Sequence, residues 1–121
     1  MGDVRLSVEP DLGGAPLVLA FEGWNDAGES ASTALRFLER ALGCVPLGEL
    51  DCQEYLDFTV QRPEVHLCDG VRRIEWPGLH FGFGSLDPAR EIATGLGVEP
   101  HLRWQPFCGA VVRFEIGRAH V

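Results

Sequence analysis

Lysine is absent from this chain: all ten of its basic residues are arginine. Within these 121 residues that excludes a Schiff-base lysine, a Gly-Lys-Ser/Thr phosphate loop and a lysine clamp on ATP phosphates. Positive charge is also scarce, since eighteen acids leave a formal net charge of -8. Phosphate affinity rests on clustered positive charge, so a nucleic-acid partner is not expected. No apolar run approaches the roughly 20 residues that span a bilayer, so no membrane partner is expected either. Met1-Gly2-Asp3-Val4-Arg5 lacks the basic region and apolar stretch of a signal peptide. The expectation is a cytoplasmic protein.

Catalytic signatures are missing too. No Gly-x-Ser-x-Gly, His-Glu-x-x-His or Gly-x-Gly-x-x-Gly occurs, and Gly82-Phe83-Gly84 is only a fragment of the last. The cysteines, Cys44, Cys52, Cys68 and Cys108, form no C-x-x-C, and no His-x-x-x-His accompanies them. No metal and no cofactor is therefore expected. Without a secretion signal, reduced structural thiols are the expected state of all four.

What is present suits one α/β domain or part of one. The chain is 45% hydrophobic and 23% charged, an ordinary globular balance. Fifteen Gly and eight Pro beside the arginine-only basic set point to a GC-rich genome. Pro16-Leu17-Val18-Leu19-Ala20-Phe21 is a continuous apolar run and predicts a strand buried on both faces. A helix is predicted from Ala27 to Leu42, with Ala31, Ala34, Leu35, Leu38 and Leu42 on its buried side. Asp26-Ala27-Gly28-Glu29 has the form of a capping box, and Gly43 is a stop signal.

The middle of the chain predicts strands. Val45–Gly48 suits a strand start or an edge because of Pro46, and Phe58-Thr59-Val60 alternates. Val65–Cys68, Asp69-Gly70 and Val71–Trp76 predict a hairpin with a type I′ turn. Leu79–Phe83 reads as a further strand, Asp87–Arg90 as a turn and Glu91–Thr94 as a short strand ended by glycines. Leu102–Val112 predicts a helix with Trp104, Phe107, Cys108 and Val111 on its apolar side and Pro106 in its first turn.

Three groups are candidates for binding or interface roles. Glu22, Gly23, Trp24, Asn25 and Asp26 form the turn between the first strand and the first helix, where open α/β sheets bind ligands. Two acids at that mouth disfavour phosphate, and Trp24 suits a contact with another subunit. The same stretch reads equally as a tight turn plus helix cap. Arg62, near Tyr55, Asp57 and Arg72-Arg73, is a candidate carboxylate clamp or a solvated ion-pairing residue. Arg103 and Trp104, after His101, stand at the start of the last helix. No residue qualifies as catalytic.

Residues 115–121, Glu-Ile-Gly-Arg-Ala-His-Val, reverse-translate in frame to the start of a common short-read sequencing adapter, followed by its stop codon. They are set aside as a non-native tail. Residues 1–114 are then expected to be the N-terminal part of a single α/β domain.

Four segments in order resemble the PAC2 (proteasome assembly chaperone 2) family in its actinobacterial-type form. They are Phe21-Glu22-Gly23-Trp24-Asn25-Asp26-Ala27-Gly28, Tyr55-Leu56-Asp57-Phe58-Thr59-Val60-Gln61-Arg62-Pro63, Ile74-Glu75-Trp76-Pro77, and Glu99-Pro100-His101-Leu102-Arg103-Trp104-Gln105-Pro106-Phe107-Cys108. The segment Asp87–Gly97 departs from the pattern, where a more continuous hydrophobic strand belongs. The resemblance implies a three-layer α/β/α fold with a phosphorylase-like mixed sheet, here truncated, and homo-oligomers. It implies a non-enzymatic assembly chaperone, with proteasome subunits as partners. Its alternative is an ATP-grasp-like carboxylate–amine ligase or a nucleoside-phosphorylase-like enzyme, and it supplies no catalytic residue.

Overall fold

The computed structural model describes residues 4–6, 15–23, 26–60, 62–87 and 90–119, the last five by backbone alone. In chain order the elements are β1 (Arg5–Leu6), β2 (Leu17–Glu22), a 3-10 turn (Ala27–Glu29), α1 (Ser30–Leu42) and β3 (Val45–Leu50). There follow β4 (Glu64–Cys68), β5 (Val71–Glu75), β6 (Leu79–Asp87), β7 (Arg90–Val98) and α2 (Trp104–Ala119).

Five strands make one mixed sheet in the order β1-β3-β6-β7-β2, while β4 and β5 pair separately. Among the described residues only β2 and β7 are parallel; the other pairs are antiparallel. Successive residues of a strand face opposite sides, which identifies the layers. The Phe81 ring lies 4.3 Å from that of Phe114 on α2. Next to it in β6, a Cβ on Gly82 would meet the Thr94 hydroxyl and the carboxylate of Glu39 on α1. The two helices therefore cover opposite faces, and the molecule is a three-layer α/β/α sandwich.

The larger core lies under α2. Leu47, Leu50, Tyr55, Leu79, Phe81, Phe107 and Ala110 are buried together there, with Phe21 edge-on to Phe107 at 5.9 Å. Burying each large side chain contributes about 1.5–3 kcal/mol. On α2 the buried line is Phe107 and Ala110, with Phe114 half-buried; Trp104 and Cys108, expected inside, are exposed. Pro106 occupies the first turn, where its missing N–H breaks no helical bond.

β2 forms as expected and, among the described residues, pairs with β7 alone at the end of the sheet, but it is not buried on both faces. Val18 points away from the core and is 39% exposed. α1 begins three residues later than the apolar spacing suggests, after Gly28 and Glu29, both at positive φ. Its buried residues are Ser32, Leu35 and Leu42, whereas Ala31 and Ala34 face outward. Gly43 ends it at φ 63°: its N–H reaches the Arg40 carbonyl at 3.2 Å, and the Cys44 N–H reaches that of Glu39 at 2.9 Å. That pair of bonds is the Schellman motif, which glycine favours because it has no Cβ to clash.

Phe58-Thr59-Val60 is a turn and not a strand. Asp57 accounts for it, accepting the Thr59 hydroxyl at 2.6 Å and the Thr59 N–H at 2.9 Å while its own carbonyl takes the Val60 N–H. This is the local competition by which short polar side chains divert a strand. The β4–β5 hairpin forms with Asp69 at φ 50° and Gly70 at φ 78°, as a type I′ turn requires. β7 is a full nine-residue strand through Gly95 and Gly97, longer than the weak apolar signal suggests. All four thiols are free; Cys52 is buried, Cys44 half-buried, and Cys68 and Cys108 are exposed. Burial pushes the Cys52 thiol up to about 11 and the Cys44 thiol upward as well.

Candidate functional site

The C-terminal ends of β2 and β7, which pair in parallel, hold most of the candidate turn. Parallel pairing puts Glu22 opposite Val98, and the Glu99 N–H donates to the Glu22 carbonyl at 3.0 Å. Gly23 follows at φ 136°, and a Cβ there would fall 2.8 Å from Glu99 Cγ and Oε1. Glycine is favoured there by its backbone angle, while the Glu99 side chain lies against it. Glu99 is the member of this cluster that linear reading missed, because the β7 register brings it in from 76 residues away. The Glu22 carboxylate accepts from Arg36 of α1 at 2.8 Å, an exposed ion pair of small energetic weight. Trp24 and Asn25 lie outside the described residues.

Asp26 is buried and turned inward as a helix cap. Its Oδ1 accepts the N–H of Ala31 at 2.8 Å and of Ser32 at 3.0 Å, and its Oδ2 accepts the Ser32 hydroxyl at 2.5 Å. The expected capping box with Glu29 does not form; Glu29 adopts the left-handed conformation and caps nothing with its side chain. Asp26 instead reaches across the 3-10 turn to the first free amides of α1. Hydrogen bonds from the Ser32 hydroxyl and the Ser32 and Ala31 amides, with help from Arg36, hold its carboxyl below the ordinary 3.8. A carboxyl with a lower pKa folded than unfolded stabilises the fold above the unfolded value. That contribution is lost as pH falls from 3.8 toward the folded value. Asp26→Asn is expected to melt at lower temperature than wild type at neutral pH, with the gap closing as the acid range is entered. Thermal melts from neutral pH down to about pH 3 check this.

On the α1 face a groove of about 1050 Å³ runs beside that helix over β3 and β6. Glu22, Arg36, Glu39, Glu49, Arg62 and His80 are among its lining residues. Glu39 accepts from the Thr94 hydroxyl at 2.9 Å, and Glu49 lies 3.6 Å from His80. Five glutamates against three arginines line it, so the groove is acid-rich and ill-suited to a polyphosphate. Glu22 and Arg62 thus share one groove. Arg103 and Trp104 do not join them, since they open α2.

At the start of α2, Arg103 takes φ 54° and its carbonyl accepts the first helical N–H, from Phe107, at 3.2 Å. The Tyr55 carbonyl takes the N–H groups of His101 and Leu102 at 2.8 and 3.0 Å. His101 Nδ1 accepts the Asp57 N–H at 2.9 Å, which ties the 55–57 turn to the helix start. Hydrogen bonds from Thr59, first from its hydroxyl and then from its backbone N–H, hold the Asp57 carboxyl below its usual value. His101 and Asp57 therefore position backbone and carry no reacting geometry. Trp104 is 51% exposed beside exposed Leu102. Among the described residues, no group of three His, Cys, Asp or Glu side chains is placed to hold a metal ion. Among them, too, no helix is long and apolar enough to cross a membrane.

An α1-α2 sandwich about a mixed sheet, with an acid-rich groove on the α1 face, defines a class of α/β protein by architecture alone. The family follows from comparison. The PAC2 family model matches residues 20–115, and the chain belongs to that family. A PAC2 family protein from Streptomyces avermitilis is 39% identical, with a TM-score of 0.75, over 85% of this chain and 46% of that one. A Mycobacterium tuberculosis proteasome-assembly chaperone homologue is 35% identical, with a TM-score of 0.76, over 84% of this chain and 44% of that one. Another M. tuberculosis protein, of unknown function, is 28% identical with a TM-score of 0.75, over 99% of this chain and 43% of that one. Among functionally curated proteins, no match is found. The chain therefore spans a little under half the length of the solved structures it resembles.

Proposed function

We propose that this chain is part of a non-enzymatic binding protein of the proteasome-assembly-chaperone type, cytoplasmic and working as a homo-oligomer with proteasome subunits as partners. The observation that carries the reading is its 35% identity, at a TM-score of 0.76, to the M. tuberculosis proteasome-assembly chaperone homologue. Physical support comes from the surface: Trp76, Leu102, Trp104 and Val112 are about half exposed, and large apolar side chains left in water favour association. Glu22, Gly23 and Arg62 on the groove side, and Arg103 and Trp104 on the α2 side, are the proposed contact residues.

The test is co-purification of the full-length protein with proteasome α subunits, alongside sedimentation of the protein alone. Self-association with retention of α subunits is the expected result. A protein that stays monomeric and retains none overturns the reading. The ligase or phosphorylase-like alternative draws no support from the acid-rich groove, and calorimetric binding of ATP or a nucleoside would revive it.

A further inference from the structure

The His101 ring bonds a backbone amide 44 positions away in the chain. The Tyr55 carbonyl accepts the His101 and Leu102 N–H groups, and the ring returns a bond to the same turn, Nδ1 accepting the Asp57 N–H at 2.9 Å. The two carbonyl bonds do not respond to pH. The ring bond does. A backbone N–H only donates, so Nδ1 is the unprotonated nitrogen and the proton of the neutral ring sits on Nε2. A protonated imidazole donates from both nitrogens. Its Nδ1–H would meet the Asp57 N–H head-on, two donors with no acceptor between them. The bond therefore exists only while His101 is neutral.

The surroundings make that loss matter. The contact is part-buried, so an amide turned away from its acceptor is not freely repaid by water. The charge of the facing turn is the Asp57 carboxylate, whose Oδ1 is occupied by the Thr59 hydroxyl and N–H at 2.6 and 2.9 Å. Tyr55, the other titratable side chain of that turn, is buried against Phe107. Along its own segment the charged residues nearest in sequence to His101 are Glu99 and Arg103. An imidazolium drawn to the Asp57 carboxylate leaves the Asp57 N–H unpaired all the same. Beyond the turn, Phe58 stands edge-on to Trp76 at 5.8 Å, while the start of α2 carries exposed Leu102 and Trp104. The ring bond thus helps set the position of one apolar pair against the other.

We infer that His101 is a pH-operated latch: neutral, it clamps the 55–57 turn to the start of α2, and protonated, it releases the turn and loosens Phe58 and Trp76 relative to Leu102 and Trp104. The latch is independent of the proteasome reading, and only its effect on partner contact rests on that reading.

Hydrogen exchange of the full-length protein, resolved at the Asp57 amide and corrected for the intrinsic pH dependence of exchange, tests it. Histidine changes charge between about pH 8 and about pH 5, and protection at Asp57 is expected to fall at least about fivefold across that range. The Ala93 N–H, bonded to the Pro16 carbonyl at 2.9 Å, is expected to hold its protection and serves as the reference for general loosening. His101→Asn places an amide oxygen where Nδ1 stands, an acceptor that does not titrate. Its Asp57 amide is expected to stay protected at both ends of the range. His101→Leu offers no acceptor, and its Asp57 amide is expected to exchange fast throughout. Wild-type protection that is constant with pH overturns the latch and leaves the proteasome reading untouched. An equal fall in His101→Asn overturns it as well, since the titrating group is then another. So does an equal fall at Ala93, because the loosening is then general.

Discussion

Gly97→Val is expected to abolish cooperative folding. A Cβ at this position would overlap the Gly78 carbonyl oxygen, and would lie 2.7 Å from Leu79 Cα and 3.1 Å from Leu79 Cδ1. The first two are backbone atoms of the approach to β6 and of β6 itself, and Leu79 is the direct register partner of Gly97. Relief would require prying apart the central strand pair of the sheet. Overpacking a core costs about 1–3 kcal/mol where side chains can yield, and more where only backbone is available. A domain of this size has about 5–15 kcal/mol in total, and valine adds two further methyls to the collision. Thermal melting followed by circular dichroism should show no sharp transition. Gly109→Ala is the control: in α2 the new methyl meets only the flexible end of Arg113 at 3.3 Å. Alanine's helix propensity there should leave stability unchanged or raise it by up to about 1 kcal/mol. Equal behaviour of the two variants would show the close approach at Gly97 to be unimportant.

Phe107→Ala is expected to cost about 3–5 kcal/mol, lowering the melting temperature on the order of 10–20 °C. Phe107 is 3% exposed and is the aromatic hub of the core. Phe21 of β2, Tyr55 of the connecting turn and Trp104 of α2 stand edge-on to it at 5.9, 5.5 and 6.5 Å. Removing the ring leaves a cavity bounded by three separate elements, and the sheet edge, turn and helix cannot all collapse into it. Phe107→Leu, which keeps most of the volume, should recover more than half of the loss. A melting temperature within a degree or two of wild type for Phe107→Ala would contradict this packing.

Where the sequence announced an element, it did so through local chemistry. Asp69-Gly70 between alternating strands, Gly43 after an apolar helix face and Pro106 in a first turn each act within a few residues, and each stands where expected. The misreadings have two causes, partners distant in the chain and local side-chain bonds that periodicity ignores. β7 looked weak because it carries two glycines, yet a Cβ at Gly95 would sit 2.5 Å from Leu19 Cδ2 of β2, a constraint that no window around residue 95 reveals. Pro16–Phe21 predicts a strand buried on both faces because a continuous apolar run signals burial, but Val18 on one of those faces is 39% exposed. Asp57 diverted 58–60 into a turn by a side-chain bond that alternation ignores. The candidate turn was legible as a place, through Gly23 and Asp26. Its electrostatics were not, because Glu99 and Arg36 arrive from other elements. The PAC2 resemblance survived these local errors because its four segments are bound to sequence identity and not to periodicity.

The parallel pairing of β2 with β7 carries a consequence for the order of assembly. Leu17 faces Ala93, so 75 residues intervene before the first of these strands meets its partner β7. The β6–β7 hairpin closes over the two positions between Asp87 and Arg90 and forms early, because closing a short loop costs little entropy. During synthesis β2 leaves the ribosome long before that hairpin exists, with its backbone N–H and C=O groups unpaired and no β7 to join. Such long-range pairings slow folding and prolong the exposure of unpaired backbone. The nascent chain thus passes through an interval in which this apolar segment is without its sheet.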